Sequence, residues 1–187
     1  MKSVLISIQP KWCELIANGK KTVEVRKTRP KIDVPFKGYI YCTRQKVNGE
    51  ILLTHDKKVE GRNRGFRNKG DIPLAGKVIG EFVCDKIEQG HILWVKEQPE
   101  YYDRVDEKTQ LTYRQMFDYL GEKGIGYFWH ISDLVIYEQP KELSEFHKVG
   151  YTETKESVSW LTREEEKSWQ IKRPPRSWCY VEGVEGK

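Results

Sequence analysis

Three charged side chains lie close together near the start of the chain: Lys21, Glu24 and Arg26. The arginine offers a planar fork that suits a phosphate or a carbonyl edge, and the glutamate is able to accept hydrogen bonds from an exocyclic amine, as carboxylates do with cytosine. The lysine is able to hold a phosphate, or to act as a base where it is desolvated. The spacing therefore supports two hypotheses: a ligand site, or an ion pair of Glu24 with Arg26 or Lys21 that only orders a strand.

The strand that carries these side chains is predicted from the alternation of residues 22–28. Strict alternation puts Glu24 and Arg26 on one face and Lys21 on the other, although a lysine at the start of a strand is able to swing into a neighbouring cleft. Two charges buried together cost several kcal/mol each unless they are well paired. We therefore expect Glu24 and Arg26 to line a cleft, where water or a ligand solvates them.

Polar and aromatic residues on either side of this strand are candidates to complete the cleft. Gln9, Lys11 and Trp12 precede it, and Trp178 lies in the last predicted strand. A base that stacks on an aromatic ring contributes roughly 1–3 kcal/mol. Trp12 and Trp178 are the favoured stacking surfaces because both lie beside polar residues. The other aromatic candidates for stacking are Tyr39, Tyr41 and Trp129.

A second basic feature lies within residues 44–70, which are rich in glycine, arginine and lysine and are predicted to form a mobile loop or an extended hairpin. Its four cations are Arg62, Arg64, Arg67 and Lys69. They fit a loop that follows the phosphates of RNA. A solvated insertion with no partner explains the same composition, and both hypotheses stay open.

The elements that must position these residues are mostly short strands. Strands are predicted over residues 3–9, 22–28, 36–43, 76–87 with a bulge at Gly80, 127–137 as one or two strands, and 177–182. Helices are predicted from Pro10 to the end signal at Asn18-Gly19 and over residues 111–120. Residues 151–173 are polar and are predicted to be irregular. This pattern is typical of a mainly β protein with flanking helices (α+β), whose strands form a closed or nearly closed barrel.

Length and composition restrict the class of protein. A chain of 187 residues suits one domain, which we assign to residues 1–187. No apolar run approaches the roughly 20 residues of a transmembrane helix, and Met1 and Lys2 lead directly into a strand rather than into a secretory signal. The four cysteines are isolated in sequence, which is typical of buried thiols in a reducing cytosol and unlike a zinc site. We therefore expect a cytoplasmic protein with no metal, no cofactor and no contact with a membrane.

Charge is distributed unevenly along the chain. Residues 1–70 contain 17 Lys and Arg against 6 Asp and Glu, a net charge of +11, whereas the remaining residues have a net charge of −6. Such asymmetry favours a polyanionic partner on one face. A solvated basic surface without a partner is the simpler alternative.

The motif and its surroundings resemble a known family. Residues 19–26 fit the pattern G-x-K-x-x-E-x-R, and the strand and helix start at residues 5–12 resemble those that precede this pattern in ASCH domains of bacterial and phage proteins. Residues 78–83, 129–134 and 173–180 are also similar to those proteins. The resemblance implies a PUA-like mixed β-barrel with a cleft beside the first helix and with insertions at residues 44–70 and 151–172. It also implies a role in RNA binding or RNA modification.

The resemblance to some small members of the same family implies enzyme activity as an alternative. Those proteins remove the acetyl group from acetylated cytidine with a lysine, a threonine and a glutamate. Lys21 matches the lysine, whereas Glu24 stands at the position of the threonine. The nucleophile of those enzymes is therefore absent from this motif.

We interpret the sequence as a binding module that recognises RNA or a modified, nucleotide-like base in a cleft lined by Lys21, Glu24 and Arg26. The main alternative is a hydrolase acting on a modified nucleoside or on RNA, with Lys21 and Glu24 as catalytic acid and base. A protein-interaction domain that uses the acidic C-terminal part is a third hypothesis. The sequence carries no signal for an oligomeric state.

Overall fold

The computed structural model of the protein describes residues 2–44, 46–47, 50–51, 74–92, 103–158 and 160–183. Its strands in chain order are β1 (Lys2–Ile8), β2 (Val23–Arg26), β3 (Phe36–Cys42), β4 (Lys46–Val47), β5 (Glu50–Ile51), β6 (Val78–Cys84), β7 (Ile87–His91), β8 (Ile125–His130), β9 (Ser132–Lys141) and β10 (Trp178–Glu182). Its α-helices are α1 (Pro10–Ala17), α2 (Tyr113–Leu120), α3 (Tyr151–Ser157) and α4 (Arg163–Trp169). A short 3₁₀ helix covers Leu143–Glu145.

The strands form two main sheets and a small ribbon. The larger sheet has the order β10-β1-β3-β6-β9, and the smaller has the order β2-β8-β7, while β4 pairs with β5. Only the β1–β3 pair is parallel among the described pairs. The predicted α+β class is confirmed. Over the described ranges neither sheet closes on itself, so the closed barrel stays a prediction.

The run 76–87, predicted as one strand, contains β6 and only the first residue of a separate strand, β7. The run 127–137, predicted as one or two strands, divides between β8 and β9, where Asp133 has a φ of 45°. The bulge expected at Gly80 is confirmed, because the pairing of β6 shifts register between Val78 and Gly80. A Cβ atom at Gly80 would lie 2.4 Å from the carbonyl oxygen of Val135, so the close approach of β9 requires glycine.

The prediction that residues 151–173 are irregular was wrong, because α3 and α4 lie within them. These helices are stabilised at their ends rather than by an apolar stripe, which is the signal that sequence patterns rely on. The carboxylate of Glu182 accepts hydrogen bonds from the backbone N–H groups of Gly150 and Thr152 at the start of α3. Thr162 and Glu165 form a reciprocal capping box at the start of α4.

The main core lies between the two sheets. Ile6 and Ile40 of the larger sheet, Cys13 of α1 and Trp129 of β8 belong to one buried apolar cluster. A second cluster on the opposite face of the larger sheet contains Phe146 and Ile171, so residues that flank α3 and α4 cover that face. A third lies where α2 packs on the smaller sheet through Met116 and Leu120. The described helices include none that is long and apolar enough to span a membrane.

Candidate functional site

The motif strand β2 is buried along its whole length. The side chains of Lys21, Glu24 and Arg26 expose only 1%, 10% and 8% of their surface. The expectation of a solvated cleft around these charges was therefore wrong. The carboxylate of Glu24 lies between the two cations, 3.2 Å from Lys21 Nζ and 3.0 Å from Arg26 Nη2. Close pairing is what makes burial of the charges possible.

Lys21 does not lie where strict alternation put it, because its side chain turns toward the motif face to reach Glu24. Its Nζ also donates to the carbonyl oxygens of Val23 at 2.9 Å and Thr109 at 2.7 Å. The carbonyl of Lys108 in turn accepts from the backbone N–H of Thr22, which fixes the adjoining turn beside β2. An ammonium group has three donors and no acceptor. All three donors of Lys21 are thus directed at protein oxygens.

Arg26 joins the two sheets. Besides pairing with Glu24, its Nη2 donates a hydrogen bond of 2.6 Å to the backbone carbonyl of Ser7 in β1, and its Nη1 lies 3.4 Å from the hydroxyl of Ser177. Ser7 itself donates from its backbone N–H to Ser177 and from its hydroxyl to Pro175. The motif is therefore fastened both to the first strand and to the turn that precedes the last strand.

Two buried donors on this face have no partner among the described residues: Arg26 Nε and Trp129 Nε1. Trp129 lies directly opposite Glu24 in the β2–β8 pair, so the two side chains share the face of the sheet that carries Arg26. A buried N–H without an acceptor costs about 1–3 kcal/mol. The three charges of the motif also sum to one uncompensated positive charge. The arrangement is therefore complementary, in charge and in hydrogen bonding, to an electron-rich acceptor group.

The remaining predicted residues lie at different distances from this centre. Trp12 is half-buried with Lys21 Nζ 5.5 Å from its ring centre, and Trp178 is half-buried with its ring 5.9 Å from that of Trp129. Gln9 and Lys11 are exposed at the start of α1. The structure thus brings Trp12 and Trp178 to the motif and leaves Gln9 and Lys11 at its rim. The predicted phosphate-binding cations Arg62, Arg64, Arg67 and Lys69 lie outside the described residues.

The two tyrosines considered for stacking belong to a different part of the molecule. Tyr39 and Tyr41 are buried in the cluster on the opposite face of the larger sheet, where Tyr39 packs against Phe146 with ring centres 5.0 Å apart. Both side chains lie on the face of β3 that points away from the motif. They therefore contribute to the core and not to the candidate site.

A cavity of about 350 Å³ lies on the other face of the smaller sheet, between β7, β8, α2 and the turn that contains Asp106. Its mouth has a hydrogen bond of 2.6 Å between His130 Nε2 and Glu88, whose other oxygen lies 2.7 Å from Lys86 Nζ. The hydrogen bond from Lys86, followed by that from His130, lowers the pKa of Glu88 to about 2. Sequence patterns do not identify this pair, because its two residues lie on different strands.

No three His, Cys, Asp or Glu side chains within the described ranges lie together as a metal site requires. The thiols are also poorly suited to ligation or nucleophilic attack, since burial raises the pKa of Cys84 to about 12 and that of Cys179 to about 11.

The sequence model of the ASCH domain family matches residues 6–172. The chain belongs to the ASCH domain family. Three crystal structures of an ASCH protein from Zymomonas mobilis are similar to it in fold: the unmodified protein, a serine-to-alanine variant and a tyrosine-to-phenylalanine variant. Curated protein sequences gave no significant match.

The similarity to the Zymomonas ASCH structures extends over nearly the whole chain. The serine variant is 18% identical with a TM-score of 0.54, and the alignment covers 96% of this chain and 88% of that one. The tyrosine variant is 19% identical with a TM-score of 0.55, covering 97% and 91%. The unmodified protein is 19% identical with a TM-score of 0.50, covering 96% and 87%. At this identity the comparison establishes a shared ASCH fold and nothing about ligands.

Proposed function

We propose that this ASCH domain is a binding module for RNA or a modified nucleobase, with the ligand held beside Lys21, Glu24 and Arg26. The observation that carries the proposal is a pair of buried donors without a partner among the described residues, Arg26 Nε and Trp129 Nε1, next to a charge cluster with one positive charge in excess. Bases and phosphates both present the oxygen or nitrogen acceptors that such donors require.

The residues divide into two roles under this proposal. Lys21 and Glu24 hold the guanidinium of Arg26 in place, because each is occupied by contacts within the protein. Arg26 and Trp129 supply the donors, Nε and Nε1; both atoms are buried, so binding of the ligand must displace the side chains that cover them. The half-buried rings of Trp12 and Trp178 supply flat surfaces against which a base stacks, and each such contact is worth roughly 1–3 kcal/mol. Gln9 and Lys11 lie at the rim.

The larger architecture proposed here is a PUA-like barrel formed by residues 1–187 as a single cytoplasmic domain. Support comes from the core shared by the two sheets and from the Arg26–Ser7 bond that crosses between them. Arg62, Arg64, Arg67 and Lys69 remain proposed contacts to phosphate.

The hydrolase alternative receives less support from the same contacts. A catalytic base needs a free lone pair, and the Lys21 ammonium donates to two carbonyl oxygens and to a carboxylate. Glu24 also stands where the related amidohydrolases have a threonine nucleophile. We therefore favour binding over catalysis.

The test is ligand binding by calorimetry and tryptophan fluorescence, using single-stranded RNA oligonucleotides and a panel of nucleosides that includes acetylated cytidine. Trp129→Phe keeps an aromatic ring and removes the donor, so it should weaken binding about tenfold, given roughly 1–3 kcal/mol for a good polar contact to a base. The matched control is Phe36→Leu, because Phe36 packs against Trp129 with ring centres 5.8 Å apart and offers no donor.

Equal weakening in the two variants would assign the effect to packing and would contradict a donor role for Trp129. Failure of the wild-type protein to bind any RNA or nucleoside at low salt would overturn the proposed function. Release of acetate from acetylated cytidine, lost in Lys21→Met, would establish the hydrolase alternative instead.

A further inference from the structure

Two exposed basic segments that are distant in sequence lie side by side. The loop after β2 and the segment before β10 are joined through the last strand: Trp178 Nε1 donates to the hydroxyl of Thr28 at 3.1 Å, and the backbone N–H of Lys31 donates to the hydroxyl of Tyr180 at 2.6 Å. Residues 27–31 and 172–178 together contain no Asp or Glu. The contacts therefore create one basic surface out of two.

We define the basic strip as Lys2, Arg29, Lys31, Arg173 and Arg176. All five are exposed, and none has a carboxylate within ion-pair distance in the described part of the chain. Exposed cations without a carboxylate partner keep their full attraction for an external anion. A polyanion that covers several of them gains further from the release of its counterions.

Some neighbouring cations do not belong to the strip. Lys27 alternates to the other side of the sheet, where its Nζ lies 5.3 Å from the ring centre of Tyr119. Asp33 is the nearest acidic residue along the chain and follows Lys31 by two positions. The strip is thus a feature of three-dimensional placement and not only of a basic stretch of sequence.

Aromatic rings lie within the strip. Trp178 and Tyr180 are half-buried and meet edge to face with ring centres 5.4 Å apart, and Lys2 Nζ lies 3.9 Å from the ring centre of Tyr180. Cations interleaved with aromatic rings are typical of surfaces that bind single-stranded nucleic acid, because phosphates contact the cations while unpaired bases stack. In a duplex the bases stack on one another inside the helix, so they are not free to stack on these rings.

The strip also adjoins the motif. Ser177, one residue after Arg176, accepts a hydrogen bond from Arg26, and Trp178 packs against Trp129. A strand of RNA that follows the cations therefore passes beside the motif, where Arg26 Nε and Trp129 Nε1 have no partner among the described residues.

We propose that the basic strip binds the phosphate backbone of single-stranded RNA and directs one of its bases toward Arg26 and Trp129. This inference rests on the function proposed above and adds a binding surface to it. We expect the strip to supply electrostatic affinity that does not depend on the RNA sequence, and the motif to supply selectivity among bases.

The experiment compares two variants of equal charge change by fluorescence anisotropy with a labelled single-stranded RNA of about 12 nucleotides, a length within the site sizes known for such modules. The strip variant is Arg29→Glu, Lys31→Glu and Arg176→Glu. The matched control is Lys123→Glu, Lys155→Glu and Arg163→Glu, three exposed positions outside the strip. The strip variant should lose at least about tenfold in affinity at about 0.1 M salt, and the control less than about twofold.

A milder strip variant with glutamine at the same three positions provides a second measurement if charge reversal disturbs folding. Its plot of log affinity against log salt should be shallower by about 2, since each phosphate contact on a single strand contributes about 0.7. The same RNA annealed to its complement should bind more weakly than the single strand.

The possible failures are distinguishable. Equal losses in the strip variant and the control would show that only net charge matters and would overturn the strip. Unchanged RNA affinity in the strip variant would overturn it while leaving the proposed function intact. Absence of RNA binding by the wild-type protein would remove the proposed function and the strip together, and equal binding of duplex and single strand would overturn the role of the aromatic rings.

Discussion

The guanidinium of Arg26 donates a hydrogen bond of 2.6 Å to the backbone carbonyl oxygen of Ser7, and this bond joins the motif strand of one sheet to the first strand of the other. The residue that we propose as a ligand contact is therefore also a structural tie. Substitutions in the motif should therefore affect stability as well as binding. The loss of stability depends on which charges stay buried without a partner of opposite sign.

The buried charge cluster should make Glu24→Gln more destabilising than Lys21→Met. The first change leaves two buried cations with no anion, which we expect to cost about 3 kcal/mol or more. The second keeps the Glu24–Arg26 pair and leaves two carbonyl oxygens without a donor, which should cost about 1–3 kcal/mol. Urea unfolding of both variants measures the difference.

The control for this comparison is Lys37→Met, which removes a partly exposed ion pair with Glu81. Such pairs contribute about 1 kcal/mol or less. If Glu24→Gln proved as stable as the wild-type protein, the cluster would have to be open to water.

Acid should destabilise the protein through His147, because burial lowers the pKa of this imidazole below its ordinary value of 6.5. The unfolded chain then binds a proton at higher pH than the folded one, so stability falls as the pH drops below about 6.5. His147→Phe should reduce this loss while it preserves the stacking on Tyr151, whose ring centre is 4.0 Å away.

The measurement is the melting temperature of the wild-type protein and the variant at several pH values between about 7.5 and about 5.5. His91→Phe is the matched control, because His91 is exposed. Parallel pH profiles for His147→Phe and the wild-type protein would contradict the prediction.

The native thiols should resist alkylation. Burial raises the pKa of Cys13 well above its ordinary value, and it also raises the pKa values of Cys84 and Cys179. Since the thiolate is the reactive form, iodoacetamide at about pH 8 should modify the native protein at least about 100-fold more slowly than the unfolded chain. Mass spectrometry of the time course measures both rates, and a cysteine that reacts equally fast in the two states would disprove the assignment of burial at that position.

Two glycines should respond differently to alanine. Gly80→Ala forces a Cβ atom against the carbonyl oxygen of Val135, so β6 and β9 must separate, and we expect a loss of about 2 kcal/mol or more. Gly121 has a φ of 78° and a ψ of −169°, a region that glycine alone adopts readily, and no described atom lies within 4 Å of a Cβ placed there. Gly121→Ala should therefore lose only this conformational cost, about 1–3 kcal/mol. Thermal unfolding of both variants measures the two losses, and a larger loss at Gly121 than at Gly80 would contradict the prediction.

Local patterns predicted much of the fold. The alternation of residues 3–9 and 36–43 identified β1 and β3 to within a residue or two, because each strand is an apolar run between clear end signals. The composition of α3 and α4 gave no such signal, since Glu182, which caps α3, lies in the last strand.

The grouping of the three motif charges was predictable from the sequence, whereas their geometry was not. The motif spacing identified Lys21, Glu24 and Arg26, whereas their burial depends on Ser7 and Thr109, which only the folded chain brings to them. The pair His130–Glu88 and the contact between the two basic segments likewise join positions that are distant in sequence. No periodicity within a single element carries that information.

The position of β1 between β10 and β3 has a consequence for synthesis. Ser7 is bonded to Pro175, 168 residues later in the chain. At typical translation speeds the ribosome needs roughly ten to thirty seconds to make that length. Throughout this interval the edge of β1 that pairs with β10 lacks its native neighbour, so its backbone N–H and C=O groups are exposed as an unpaired strand edge. The turn that carries Ser177 and the aromatic rings of β10 join β1 only after this interval, so the binding surface proposed above cannot form before then.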